Sequence, residues 1–486
     1  MKKNILVPLA ICLVLFSATF PLASCKGAES HETSYEIECE LQGNTLTGKE
    51  RVSFYNNTDT AFSELKFNLF ANAYRENAKY RPVQKIYEYL AYPEGKNYGG
   101  IEILSVKSAV GDLPFEIAGE DENILVVSLD GEVFPEEKTE VSIEYKITLA
   151  NIVARLGINA KTVNLAEFYP ILCGIDKDGF YECLYYPIGD PYFSECADYS
   201  VKFTADPKYT VAHAGEKVSA STENGKTTYD FSLKKARSFC MVLSENFETI
   251  SANAGDITVN YFYYDDENAL ASSEYAIKAL KTFSALYGDY AYKTFSVVET
   301  PFVQGGMEFP TLVMISDSVE KDAYGEVIVH ETAHQWWQTA VGNNEIEYGF
   351  LDEGLAEYST VLFFENNSEY NMKREYLMDI SDKTYKSYCT VYEKLFGEKD
   401  TSMTRSLKDF TSEYEYVNIA YVKACIMYDE LRKSIGDEKF FKGLKNYYSE
   451  NKLKVATPYD LISAFTGAGS DAEGFINGFL SGKAII

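Results

Sequence analysis

The 486-residue chain is 46% hydrophobic, 15% aromatic and 24% charged. That is a globular composition with material for roughly two to four domains, and it lacks the bias of fibrous or disordered chains. The formal net charge of −28 repels phosphate backbones, so no nucleic acid is expected as a partner.

The chain opens with Lys2 and Lys3, an apolar run from Ile5 to Phe20, and then Leu22-Ala23-Ser24-Cys25. A basic start, a short apolar core and small residues before a cleavage point read as a secretory signal. The run is short for a spanning helix and carries Pro8. Its ending resembles a bacterial lipobox, which implies a signal over 1–24, a lipid at Cys25 and a lipidated tether over 25–32. An exported protein anchored by lipid at the cell surface is the expectation. The seven cysteines beyond the leader and lipid site (Cys39, Cys173, Cys183, Cys196, Cys240, Cys389 and Cys425) form no C-x-x-C pair, which argues against a cysteine metal site. Cys173, Cys183 and Cys196 leave room for one disulfide without fixing its partners.

From 33 to 250 apolar residues alternate. Tyr35, Ile37 and Cys39 share a face, as do Val52 and Phe54, then Leu65, Phe67 and Leu69, then Val141, Ile143, Tyr145, Ile147 and Leu149. Period two over short runs predicts half-buried strands. Gly43-Asn44, Asp130-Gly131 and Asn224-Gly225 predict turns between them. His213 and His31 stand alone, as structural or surface histidines do. From 251 the pattern changes to a strand carrying Ile257, Val259, Tyr261 and Tyr263, a helix near 266–287, strands near 294–299 and 311–316, and helices from 322 onward. The expected fold class is α+β and multidomain: an N-terminal antiparallel β domain over 33–250, then a mainly helical domain over 251–486. No Pro/Ser linker separates the two, so tight packing is expected.

The chemistry lies in Val329-His330-Glu331-Thr332-Ala333-His334-Gln335-Trp336-Trp337. Histidines four apart on a helix share a face and reach one metal ion. Glu331 is set beside that ion, placed to take a proton from a water. The helix is expected to end near Gly342 and a second to start near Asp352, an N-cap. Glu353 then opens the second helix, eighteen residues beyond His334. His330, His334 and Glu353 leave a fourth position free, as a single catalytic zinc ion requires. Glu357, one turn further on, faces the same way and is a candidate to bond a ligand histidine, although an exposed carboxylate is the ordinary alternative. At least one of Trp336 and Trp337 is expected in the core.

These residues resemble the aminopeptidase N-like zinc peptidases, a gluzincin family with H-E-x-x-H, eighteen residues and Glu. Leu351-Asp352-Glu353-Gly354-Leu355-Ala356-Glu357-Tyr358 is similar to the family's text around its third ligand. Gly305-Gly306-Met307-Glu308 resembles the family's G-x-M-E-N loop, which implies that the loop lines the substrate cleft and that Glu308 binds the free α-amine. Phe309 departs from that motif, and the family's Gln partner for the amine is not recognisable in the β region. Ala420-Tyr421-Val422-Lys423-Ala424 resembles the family's tyrosine segment and implies that Tyr421 stabilises an oxyanion, with Tyr414 and Tyr416 as competitors. The resemblance implies a thermolysin-like catalytic domain acting on peptide or protein substrates outside the cell, most simply as an aminopeptidase. An endopeptidase or oligopeptidase using the same metal, an epoxide hydrolase, and a catalytically silent surface binding protein are the alternatives; the intact Glu331 speaks against the last. The family's large C-terminal helical domain is not expected after the helices near 418–434, 437–449 and 457–466, and an open cleft that admits longer substrates is the expectation.

Overall fold

Alternation along the N-terminal half becomes strand faces. In Lys138–Thr148 the residues Val141, Ile143, Tyr145 and Ile147 are buried while their neighbours face outward. The computed structural model describes residues 32–397, 399–469 and 471–484. The expected signal, Cys25 and His31 lie outside the described residues. No described helix is long and apolar enough to cross a membrane.

The main β layer is a seven-stranded sheet. Its order is Glu216–Glu223, Lys226–Ala236, Ala197–Ala205, Ser34–Gln42, Thr45–Tyr55, Lys138–Thr148 and Gly100–Lys107. All its pairings are antiparallel except one: Ser34–Gln42 runs parallel to Ala197–Ala205, with Tyr35 opposite Tyr199. The expected all-antiparallel layer is therefore mixed. A parallel neighbour from more than 150 positions away leaves no local mark, because parallel strands need a long crossover connection. Two four-stranded sheets and a two-stranded hairpin, Ile175–Asp176 with Gly179–Phe180, complete the β region among the described residues. Asn224-Gly225 turns a hairpin through positive φ, but Asp130-Gly131 lies inside the strand Ile124–Val133.

A five-stranded mixed sheet opens the second half, ordered Glu248–Ala254, Ile257–Tyr263, Thr294–Thr300, Leu312–Ser316 and Gly306–Met307. Its first strand spans the expected boundary at 250/251, and the exposed pattern of this strand hides its sheet membership. Helices Ala269–Tyr287, Lys321–Ala333 and Phe350–Asn366 follow, and those beyond include Asp437–Asn451 and Pro458–Gly467. From Glu32 on the chain is one compact unit. Arg237 of the β region helps join it. Its guanidinium donates to the carbonyls of Gln338 (2.9 Å), Ser194 (2.8 Å) and Lys454 (2.6 Å). The seven cysteines among the described residues are free.

Candidate active site

The helix Lys321–Ala333 stops at His334, eight residues before the expected Gly342. Gly342 is not a helix cap. It lies in a short strand beside Lys454–Val455, where a Cβ would strike the Arg237 guanidinium 2.0 Å away. The early stop has a use. The Trp337 carbonyl, freed from helical bonding, lies 3.1 Å from His334 Nδ1 and turns Nε2 toward His330. Trp336 and Trp337 are both buried and anchor the turn through bonds to the Gly288 carbonyl and to Ser359. The next long helix begins at Phe350 rather than Asp352, preceded by a short helix Glu345–Tyr348 capped by Asn344. Glu353 therefore sits in the first turn with its side chain 3% exposed.

His330 Nε2 and His334 Nε2 are 3.2 Å apart, and Glu353 Oε2 lies 3.4 Å from the first and 3.2 Å from the second. Ligands at about 2.0–2.1 Å from a tetrahedral zinc are separated by about 3.3 Å, so this triangle is the size of one face of that tetrahedron. Glu353 Oε2 is buried and its near neighbours are these two imidazole nitrogens, neither in hydrogen-bonding geometry. The donor set of two imidazoles and a carboxylate suits zinc and leaves one position open. Burial opposes charge on all three residues, yet in the absence of the ion Glu353 is held down to about 2 by the two histidines. His330 is raised to about 10 by Glu353 and Glu357 against the pull of burial. The site thus binds positive charge strongly.

Glu357 Oε2 lies 3.3 Å from His330 Nδ1, the nitrogen turned away from the triangle. Tyr421 donates its phenol to Glu353 Oε1, and its ring stacks on His330 at 5.9 Å. It is carried by a π-helical turn over Val417–Lys423. Tyr416 lines the same cleft and packs edge-on against Tyr421, while Tyr414 is exposed and does not line it. Glu331 is 6% exposed with Oε2 unpartnered, and burial pushes its carboxyl up to about 7.

Gly306 and Met307 form the edge strand of the five-stranded sheet, paired with Ile315 and Met314. A Cβ on Gly306 would lie 2.2 Å from Glu331 Oε1, so the motif's glycine lets the loop pass against the carboxylate. Gln335 fixes the loop's far end, accepting from Thr311 N at 2.9 Å and donating to the Phe309 carbonyl at 3.2 Å. Glu308 is 4% exposed and lines a cleft of about 340 Å³ together with Gly305, Gly306, His330, Glu331, Glu353, Glu357 and Tyr421. Phe309 is buried near Tyr192 and is not among the lining residues.

The β region also reaches the cleft, which local spacing did not reveal. Asp190 and Arg155 line it as a buried ion pair, and Arg155 donates to Tyr192 OH at 2.8 Å. Oxygens of Asp190, Glu308 and Glu353 lie within 4.8 Å of one another. Gly189, at φ +64°, makes the approach possible, since a Cβ there would meet Leu407 and Tyr416. The sequence Gly189-Asp190-Pro191 marks a turn and nothing more.

Comparison with known proteins agrees with this geometry. Residues 271–479 match the Peptidase family M1 domain. A stretch of 212 residues, 40% of this chain, is 27% identical to leucine aminopeptidase 2 of Emericella nidulans. Another of 213 residues, 41% of the chain, is 25% identical to aminopeptidase 2 of Candida albicans. The matches span 32% and 22% of those two relatives. The crystal structure of an M1 zinc metallopeptidase from Deinococcus radiodurans superposes with a TM-score of 0.66 at 15% identity, covering 94% of this chain and 96% of that one; this likeness shows a shared fold. The stretch that matches the Peptidase family M1 domain, residues 271–479, is the one that holds the triangle and Glu331.

Proposed function

We propose that the chain is a zinc-dependent aminopeptidase. The observation that carries this reading is the position of the metal triangle beside an acidic end wall. Glu308 and Asp190 lie against Glu353 and Glu331, so a peptide running past the metal meets carboxylates on one side of the scissile bond. Zinc, when bound, polarises a peptide carbonyl and lowers the pKa of a water. Glu331 takes that water's proton and delivers it to the leaving amine, a task suited to a carboxyl poised near neutrality. Tyr421 donates its phenol to the developing oxyanion. Glu308, with Asp190 held by Arg155, pairs with the substrate's α-ammonium in a buried setting where such a pair is strong. The edge strand Gly306–Met307 offers free backbone groups along which an extended peptide can lie.

The test is cleavage mapping by mass spectrometry on paired peptides with free and acetylated N-termini. Stepwise loss of single residues from the free peptide alone is the expected result, and Glu308→Gln should slow that peptide far more than any residual cleavage of its acetylated twin. Internal cleavage of both peptides would instead make the enzyme an endopeptidase. The proposal extends to location: the leader pattern alone supports export and a lipid at Cys25. Cys25→Ser should release the protein from the membrane fraction, and full retention there would contradict the anchor.

A further inference from the structure

Behind the amine wall lies a second group of carboxylates that the proposed reaction does not use. Glu308, from the loop, meets Glu345 of the short helix and Asp352 of the next helix, with oxygens of all three within 4.8 Å of one another. They are 4%, 3% and 2% exposed. Glu345 Oε1 accepts from Gln338 Nε2 at 3.1 Å, and Asp352 Oδ1 accepts from Asn343 Nδ2 at 3.1 Å. Glu345 Oε2 and Glu308 Oε1 are buried with no partner. No basic side chain among the described residues pairs with any of the three; Arg155, the nearby cation, is committed to Asp190.

The charges around the cleft define what is lacking. A zinc ion between two neutral histidines is neutralised by Glu353 and Glu331, and Arg155 is neutralised by Asp190. Glu308, Glu345 and Asp352 have no cation opposite them, and isolated buried carboxylates are costly. A substrate ammonium at Glu308 offsets one charge, and a divalent ion would offset the other two. An all-oxygen donor set selects a hard cation. Calcium bonds oxygens at about 2.3–2.6 Å, so its ligands stand at most about 4.6–5.2 Å apart, and three oxygens within 4.8 Å of one another are close enough to share one such ion. We infer that Glu308, Glu345 and Asp352 hold a second, hard divalent cation of the calcium class next to the zinc site. Such an ion fixes Glu308 from behind. Its effect on substrate rests on the aminopeptidase reading, but its binding does not.

The experiment uses the full zinc-loaded chain, freed of calcium and held in a choline buffer. Calcium is titrated while the melting temperature and the bound metals are measured, so the result does not depend on peptidase activity. Surface acids also collect calcium, and the comparison with Glu345→Gln removes that background. Wild type should retain one calcium beyond its zinc, and its melting temperature should rise with calcium. Glu345→Gln should lose that equivalent and the rise, keep its zinc, and melt no lower than wild type without calcium. Asp352→Asn serves as the second variant should the first fail to fold. A wild type that neither retains calcium nor responds to it, or variants that respond as wild type does, would overturn the inference.

Discussion

Glu331 and His213 are both buried, and burial moves them in opposite directions. The carboxyl of Glu331 is raised to about 7, within reach of the pH at which a general base works. The imidazole of His213, stacked on Phe231 at 4.4 Å with Nδ1 3.2 Å from the Ala214 carbonyl, is lowered to about 4. Above pH 6.5 His213 is neutral whether the chain is folded or not, and it costs nothing. As the pH falls from 6.5 to 4 the unfolded chain takes up a proton that the fold refuses, so stability is lost over that window and no further below it. The full loss is about 3 kcal/mol. His213→Gln should therefore lose less stability than wild type between pH 6.5 and 4 in denaturant titrations, and equal losses would show that His213 does not carry this cost. The convergence of His330, His334 and Glu353 could be read from the chain because a helix converts an interval of four into a shared face, and because few histidines compete for the role. Asp190 and Arg155 could not, since only the packing of the β region against the helices brings them to the metal.

Among elements, the loop Gly305–Pro310 and the turn Val417–Lys423 do the positioning. The π-helical turn is a rare backbone form that recurs at functional sites, and here it carries Tyr421 onto Glu353 and His330. Its tyrosine was legible as a motif, but nothing in Val417–Lys423 announces the wider turn. The loop depends on Gly306, which leaves no room for a side chain next to Glu331. Gly306→Ala should push Glu331 off line, cutting turnover by about 100-fold or more, the range for a displaced general base. Zinc content should stay at one equivalent, because no ligand moves. Full activity in that variant would mean that the loop does not pass so close to Glu331 in solution. The helix ends were misread for a physical reason: Gly342 and Asp352 look like caps, but Gly342 is needed for the close approach of Arg237 and Asp352 is bonded by Asn343, and both partners come from outside the helices concerned.

At the scale of the whole molecule, the cleft lies between the β region and the helices, and its residues come from both. The alternating strands and the helical second half were legible because burial of one face imposes period 2 or 3.6. The parallel pairing of Ser34–Gln42 with Ala197–Ala205, and the Arg237 clamp across to Gln338 and Lys454, were not, because each joins segments about 100 or more positions apart. This architecture leads to a central claim that three protein side chains hold one zinc and a fourth does the proton work. The most direct measurement is metal content and peptide turnover, side by side, in wild type, Glu353→Ala and Glu331→Gln. One zinc per chain is predicted in wild type and in Glu331→Gln, with turnover in the latter down about 100- to 10,000-fold, and no retained zinc in Glu353→Ala. Stoichiometric zinc in Glu353→Ala, or undiminished turnover in Glu331→Gln, would contradict the account.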